Sequence, residues 1–369
     1  MTALRVPFLS LVPREDGAAV RQAIDRVIER GWFVLGPEVE AFEQEFAVAS
    51  GAAHAVGVGT GTDAIALILR ALGIGAGDEV ITTPLSAAYS ALAIVMSGAR
   101  PVFADVDPVR LTLDPQRVAA AIGPRTRAIL PVHLYGQPAD MPAIAAVAAR
   151  HGLAIVEDCC QGHLATSGGQ AVGTFGAAGA FSFYPTKNLG ALGDGGAITT
   201  NDAMLADRLR RLRNGGQTDR YHHAEPGVNT RLDEMQAAVL RARLPFLAGW
   251  TARRRALAAR YRRALAADGA APVTEAESGH VYHLFVVRTG AREAMRAHLT
   301  SRGIETLIHY PVSIPRQPAL AASQPDDCPL AARACDEVLS LPLHPALADH
   351  DVDFVSEAVD AFAPQRHAY

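Results

Sequence analysis

The chain has 369 residues, 49% hydrophobic and 20% charged, a balance that suits a globular protein with one large domain and a smaller one. A formal charge of −4, with no basic run interleaved with aromatics, argues against nucleic-acid binding. No uncharged apolar run reaches the ~18 residues of a membrane span. The start, MTALRVPFLSLVPRED, has no cationic region followed by a long apolar stretch, and the four cysteines form no CxxC pair. No leader, no membrane partner and a cytoplasmic location are therefore expected.

In chain order, amphipathic helices are expected over 17–30 and 38–49. From about 55 to 200, short apolar runs alternate with helical ones. Strands are expected near 79–83, 101–106, 128–133 and 153–158, and helices near 61–72, 88–97 and 140–150. Continuous apolar strands separated by helices predict a mainly parallel sheet covered on both faces, an α/β fold. Further strands are expected at 178–184 and 196–200. A long Ala-, Leu- and Arg-rich helix is expected over about 230–266, then a strand (281–288) and helices over 290–302, 329–338 and 348–362. These patterns predict a large domain over 1–244 and a smaller α+β domain over 245–369.

The 34 basic residues are 33 arginines and one lysine, Lys187, in FYPTKNLG. Codon drift toward arginine explains the 33 but not the exception. Arginine stays protonated and cannot act as a nucleophilic amine, whereas a lysine with a lowered pKa can. Lys187 is therefore either a reactive amine or a surface leftover, and its surroundings must decide.

Three motifs bear on that choice. GVGTGTDAIALIL (57–69) is a Gly-rich turn opening a helix, where backbone N–H groups and the helix dipole can hold an anion. Its GxGxG spacing departs from the dinucleotide fingerprint, so phosphate binding, nucleotide binding and a structural turn all stay open. IVEDCCQGH (155–163) sets Glu157 and Asp158 at the carboxyl end of an apolar strand, where ligands bind in open α/β sheets. A carboxylate there can cap a helix, hold a metal or pair with a cationic ring nitrogen. A metal would have only His163 as a near partner, so no metal is expected, and Cys159 and Cys160 read as small buried filler. Ser182 stands five residues before Lys187 and can bind a phosphate. In GVNTRLDEMQAAVL (227–240), Asn229 or Thr230 is expected to cap the long helix, with Asp233 and Glu234 suited to its first turn. A lysine, an acid and a phosphate cradle together suit pyridoxal 5′-phosphate best.

Over nearly its whole length the sequence resembles the sugar aminotransferases of the DegT/DnrJ/EryC1/StrS family. The likeness rests on GWFVLGPEVEAFEQEFA (31–47), GTGTDAIAL, GARPVFADVDP (98–108), PVHLYGQPADM (131–141), VEDCCQGH, SFYPTKNLGALGDGGAITT and VLSLPLHPAL (338–347). It implies the fold-type-I architecture, a large mainly parallel seven-stranded sheet domain plus a smaller α+β C-terminal domain. It implies pyridoxal 5′-phosphate held on Lys187, which would also act as the proton-transfer base, and Asp158 on the pyridinium nitrogen. It places Gln161 near the phenolic oxygen and Gly61, Thr62 and Ser182 at the phosphate. Asn229 would reach the phosphate of a neighbouring subunit, which implies a homodimer with shared active sites. His309 and Tyr310 would line the sugar pocket. Two departures matter. Thr60 stands where members usually carry Asn or Ser, and Ala87 stands where an aromatic usually stacks on the ring. Tyr89 is the expected substitute.

The resemblance implies transfer of an amino group from L-glutamate to a nucleotide-linked ketosugar. NTRL (229–232) is closer to members acting on 3-keto sugars, which points to C3 of a dTDP-3-keto-6-deoxyhexose. A 4-keto sugar or a UDP-linked 3-keto sugar is the alternative; a lyase on the same fold and a non-catalytic regulator are alternatives of another class. Tyr221, His222 and His223 are candidate substrate contacts or a solvated loop.

Overall fold

The structure, a computed structural model, describes residues 4–265, 270–323 and 328–362. Seven strands form the main sheet: β1 (His54–Val58), β2 (Glu79–Thr82), β3 (Arg100–Phe103), β4 (Thr126–Leu130), β5 (Ala154–Asp158), β6 (Ala178–Ser182) and β7 (Gly196–Thr200). Their order is β1-β7-β6-β5-β4-β2-β3. Strand β7 runs antiparallel to both its neighbours, and every other pairing is parallel.

The pleat sends successive side chains to opposite faces. Val80, Leu130 and Val156 pack with α3 (Gly61–Ala71). Their neighbours Ile81, Ile129 and Ile155 pack with α6 (Met141–His151). Both faces are thus covered, which is why these strands read as unbroken apolar runs.

The smaller sheet holds β8 (Ala271–Pro272), β9 (Phe285–Arg288) and β10 (Val338–Leu341), all antiparallel. Its core joins Leu257 and Tyr261 of α9 (Leu247–Ala264), Phe285, Leu339, and Val355 of α12 (Asp349–Asp360). It also takes in Val6, whose backbone bridges Ile304. The chain's start therefore belongs physically to this second core, across the boundary expected at 244/245.

The helix expected over 230–266 is two helices, α8 (Glu234–Arg243) and α9, joined by a 3-10 turn at Leu244–Phe246. Pro245 in that turn lacks the N–H that a continuous helix needs; residue 266 lies outside the described residues. The cap expected at Asn229 or Thr230 is also corrected. The chain there is not helical, and α8 opens after Asp233. Glu234 serves another helix: its carboxylate accepts the N–H groups of Gly36, Glu38 and Val39 at 2.9, 3.0 and 2.7 Å. It so caps α2 (Pro37–Ala49), which has no cap of its own. Helix α7 (Ala203–Leu212), capped by Asp202, was not expected.

Candidate active site

Lys187 sits in the loop between β6 and β7. The loop is closed by Phe183 N–H on the Gly195 carbonyl and Ala191 N–H on the Phe183 carbonyl, each 2.7 Å. Gly190 is required there, because a Cβ would meet the Pro185 oxygen at 2.5 Å. Asn188 ties the loop to the second domain: its amide donates to the Val281 carbonyl and faces His283 Nδ1, both at 3.2 Å. No described residue hydrogen-bonds or ion-pairs with the Lys187 amine. Burial pushes its pKa down, against the opposing pull of Cys160 and Asp158. An unpaired amine of lowered pKa is what imine chemistry needs.

Asp158 ends β5 on the α3 side. Ser90 Oγ donates to its Oδ2 at 2.6 Å and Cys160 N–H to its Oδ1 at 3.0 Å. Glu157, one residue earlier, faces the other side. Its oxygens accept N–H groups from Gly173 (2.8 Å), Phe175 (2.8 Å) and Gly176 (3.1 Å). His133 Nδ1 accepts the Ala139 N–H at 3.2 Å, so Nε2 carries the proton that points to Glu157, also at 3.2 Å. His133, Glu157 and Cys159 place ligand atoms within 4.8 Å of one another. The imidazole and the carboxylate are already engaged, and burial pushes the Cys159 thiol pKa well up. Both facts oppose a cation there.

The glycine turn closes over this edge. Thr60 caps α3 by accepting the Asp63 N–H at 3.0 Å, which leaves the first helical N–H groups, Gly61 and Thr62, without intrahelical partners. A Cβ on Gly61 would meet Cys160 Sγ at 2.6 Å and Ser182 Cβ at 2.8 Å. A Cβ on Gly196 would meet the Thr60 carbonyl carbon at 2.5 Å. These glycines bring Ser182 and Asp158's strand against an anion-ready helix start. The sequence-predicted Gly61, Thr62, Ser182, Asp158 and Lys187 thus stand together.

Gln161 accepts the Tyr135 N–H at 2.6 Å and donates to Tyr310 Oη at 3.0 Å. One amide hydrogen remains. Tyr135 itself holds φ at 61°, and its hydroxyl donates to the His309 carbonyl at 2.5 Å. His309 Nδ1 meets Ser340 Oγ at 2.9 Å. Burial, and then Lys187, press the His309 pKa down to about 4, while burial lifts Tyr310 to about 12. His163 packs against the rings of Phe181 and Phe183, and burial, then Lys187, lower it to about 3. Neutral imidazoles thus surround the lysine.

Other expected residues are exposed in the single subunit. Tyr89 opens α4 (Tyr89–Met96) and is 64% exposed. Asn229 is exposed, while the next residue, Thr230, accepts the Gly59 N–H at 2.9 Å and donates to Asp63 at 2.8 Å. Tyr221 and His222 stand on an exposed hairpin (217–223), where Arg220 covers the Tyr221 ring and His222 pairs with Asp219. The sequence reading did not single out Ser90 or Tyr135. Ser90 is a small residue in an ordinary helix start, and only the sheet brings it to Asp158.

Residues 14–360 match the profile of the DegT/DnrJ/EryC1/StrS aminotransferase family. The dTDP-3-amino-3,4,6-trideoxy-alpha-D-glucose transaminase of Streptomyces venezuelae is 50% identical over 365 residues, covering 97% of this chain and 96% of the relative. A crystal structure of S. venezuelae DesV in complex with a ketimine intermediate superposes with a TM-score of 0.95 at 50% identity, over 97% of this chain and 98% of the other. NtdA from Bacillus subtilis, solved with bound cofactor PMP, gives a TM-score of 0.89 at 30% identity, over 97% and 85%. The chain belongs to this aminotransferase family and has its fold.

Proposed function

We propose that this protein is a pyridoxal-phosphate-dependent aminotransferase. It moves the amino group of L-glutamate to C3 of a dTDP-linked 3-keto-6-deoxyhexose, as a cytoplasmic homodimer with shared active sites. The observation that carries the reading is the single lysine, unpaired and lowered in pKa by burial, at a sheet edge shared with Asp158 and the Gly61 turn. The substrate rests on likeness to the dTDP-3-amino sugar transaminase at 50% identity.

When bound, pyridoxal phosphate supplies an aldehyde for amine exchange and a ring that takes up electrons. Lys187 would hold the aldehyde, be released as a free amine when the donor's amine displaces it, and then take and return the proton at the donor's Cα. Asp158, kept in place by Ser90, pairs with the ring nitrogen. Gly61 and Thr62 N–H groups and Ser182 Oγ hold the phosphate. Gln161 uses its remaining amide hydrogen on the phenolic oxygen, and Tyr89 stacks on the ring. His309 and Tyr310 line the sugar pocket. Asn229, Tyr221 and His222, exposed in one subunit, serve the partner's site. Support for the dimer comes from Trp32, Phe33, Tyr184 and Tyr221, which are 54%, 52%, 52% and 76% exposed. A cytoplasmic setting suits four free cysteines. Among the described residues no helix is long and apolar enough to cross a membrane.

The test is a half-reaction. L-glutamate should bleach the visible absorbance of the loaded enzyme, and after the donor is removed a dTDP-3-keto sugar should restore it while a dTDP-4-keto sugar should not. Failure to bleach rejects aminotransfer from glutamate. Recovery with the 4-keto sugar alone reassigns the position.

A further inference from the structure

Three hydrogen bonds and one peptide link close a ring in the middle of the site, and Tyr135 makes two of the bonds. Its N–H donates to Gln161 Oε1 at 2.6 Å. Gln161 Nε2 donates to Tyr310 Oη at 3.0 Å. Tyr310 follows His309 in the chain, and the His309 carbonyl accepts the Tyr135 hydroxyl at 2.5 Å. The ring runs from the residue placed at the phenolic oxygen, through the two placed at the sugar pocket, and back to Tyr135.

Tyr135 serves both sides from a left-handed backbone, φ 61°, a region that bulky residues rarely adopt and that clusters at functional sites. The bond from its N–H also decides which way the Gln161 amide points. With the amide oxygen taken, only the two amide hydrogens remain for Tyr310 and the phenolic oxygen. The next residue, Gly136, lets the second domain close on this point, since a Cβ there would meet His283 N at 2.8 Å and the Gln161 carbonyl oxygen at 3.1 Å. Two backbone bonds already join the domains here: Val281 N–H to the Gly136 carbonyl at 2.9 Å and Leu284 N–H to the Tyr135 carbonyl at 3.2 Å. The Tyr135 hydroxyl adds a hold on one further segment, the one that carries His309 and Tyr310. Tyr135 is 2% exposed and burial pushes its pKa well up, so the hydroxyl stays a donor.

We propose that Tyr135 is a positioning residue for the ketosugar: its hydroxyl fixes the His309–Tyr310 wall at a set distance from Gln161, so that the sugar carbonyl is brought to the reacting amine. The proposal rests on the aminotransferase reading above. The amino donor carries no sugar ring for that wall to hold, and the nucleotide lies beyond it. The hold therefore acts on one substrate and on one part of it.

The probe is a dTDP-3-amino-6-deoxyhexose, the product of the proposed reaction, titrated into holoenzyme by calorimetry, with dTDP alone as the contrasting ligand. Tyr135→Phe keeps the N–H on Gln161 and the ring, and removes only the bond to His309. Its dissociation constant for the amino sugar should rise roughly tenfold, the size of one buried hydrogen bond, and that for dTDP by less than about twofold. The ketosugar concentration that half-restores the visible absorbance should rise by the same factor, while the glutamate concentration that half-bleaches it stays within about twofold. If Tyr135→Phe does not fold, Tyr135→His makes the same comparison, because histidine accepts a left-handed backbone and its shorter ring does not extend to the His309 carbonyl. Equal losses for amino sugar and dTDP, or for the two half-reactions, reduce Tyr135 to a strut and overturn the proposal. So does a variant that binds the amino sugar as the wild type does, or one in which only glutamate is affected. A wild type that binds the amino sugar but is not bleached by glutamate overturns the function proposed above, and the binding ratio then decides the wall by itself. A wild type that binds neither ligand overturns both.

Discussion

Glu157 and Asp158 are neighbours at the end of one strand, yet they have opposite fates. The Glu157 carboxylate faces the α6 side, where three backbone N–H groups and His133 engage it. Asp158 faces the α3 side with two donors, Ser90 and Cys160, next to the lysine loop. The pleat alone decides which carboxylate holds a loop and which can meet a ligand. Carboxylates in tandem are thus not interchangeable candidates: the one with spare acceptor capacity facing a reactive amine is the chemical one.

Substitutions can break this comparison. Lys187→Ala should abolish amino transfer with the far-UV circular dichroism unchanged. Lys187→Arg should do the same, since charge without a removable proton is insufficient. Residual turnover in either would remove the lysine from the chemistry. Asp158→Asn should lower kcat by roughly 10³-fold, in the range set for a lost electrostatic stabiliser, with little change in melting temperature. Glu157→Gln should show the reverse profile. It should cost about 3 kcal/mol in urea melts, because a buried carboxylate with several donors is replaced by a group that cannot accept them all, while kcat at low temperature stays within a few-fold. If the two variants exchange these profiles, the assignment by strand face is wrong.

Two smaller effects sharpen the contrast. His163 has a folded pKa of about 3, depressed by burial from 6.5. The unfolded chain therefore binds more protons between those values, so the stability this group permits is present above pH 6.5 and is lost as pH falls toward 3. From pH 7 to 5 the loss is about 2 kcal/mol. Urea melts at both pH values should show a smaller acid loss in His163→Leu than in the wild type. Ser90→Ala should remove one donor from Asp158 and slow the glutamate half-reaction by roughly tenfold. Ser90→Thr should recover most of that rate. An alanine variant with unchanged kinetics would show that Asp158 holds its position without Ser90.

Composition, period and motif determined a good deal here. The lone lysine, the Gly-rich helix start and the paired acids at a strand end were legible because each depends on local chemistry: amine basicity, backbone N–H exposure, and the carboxyl edge of a parallel sheet. The parallel sheet was legible from apolar runs separated by helices. Only the tertiary structure decided the rest. Glu234 reads as a first-turn acid of its own helix, yet it caps α2 from 196 residues away in sequence at Glu38. Asn229 and Thr230 read as caps, yet Thr230 joins the glycine turn at Gly59 and Asp63. Ser90 carries no motif at all. Its place beside Asp158 depends on which strands pair, and that is a matter of long-range packing which no local spacing encodes.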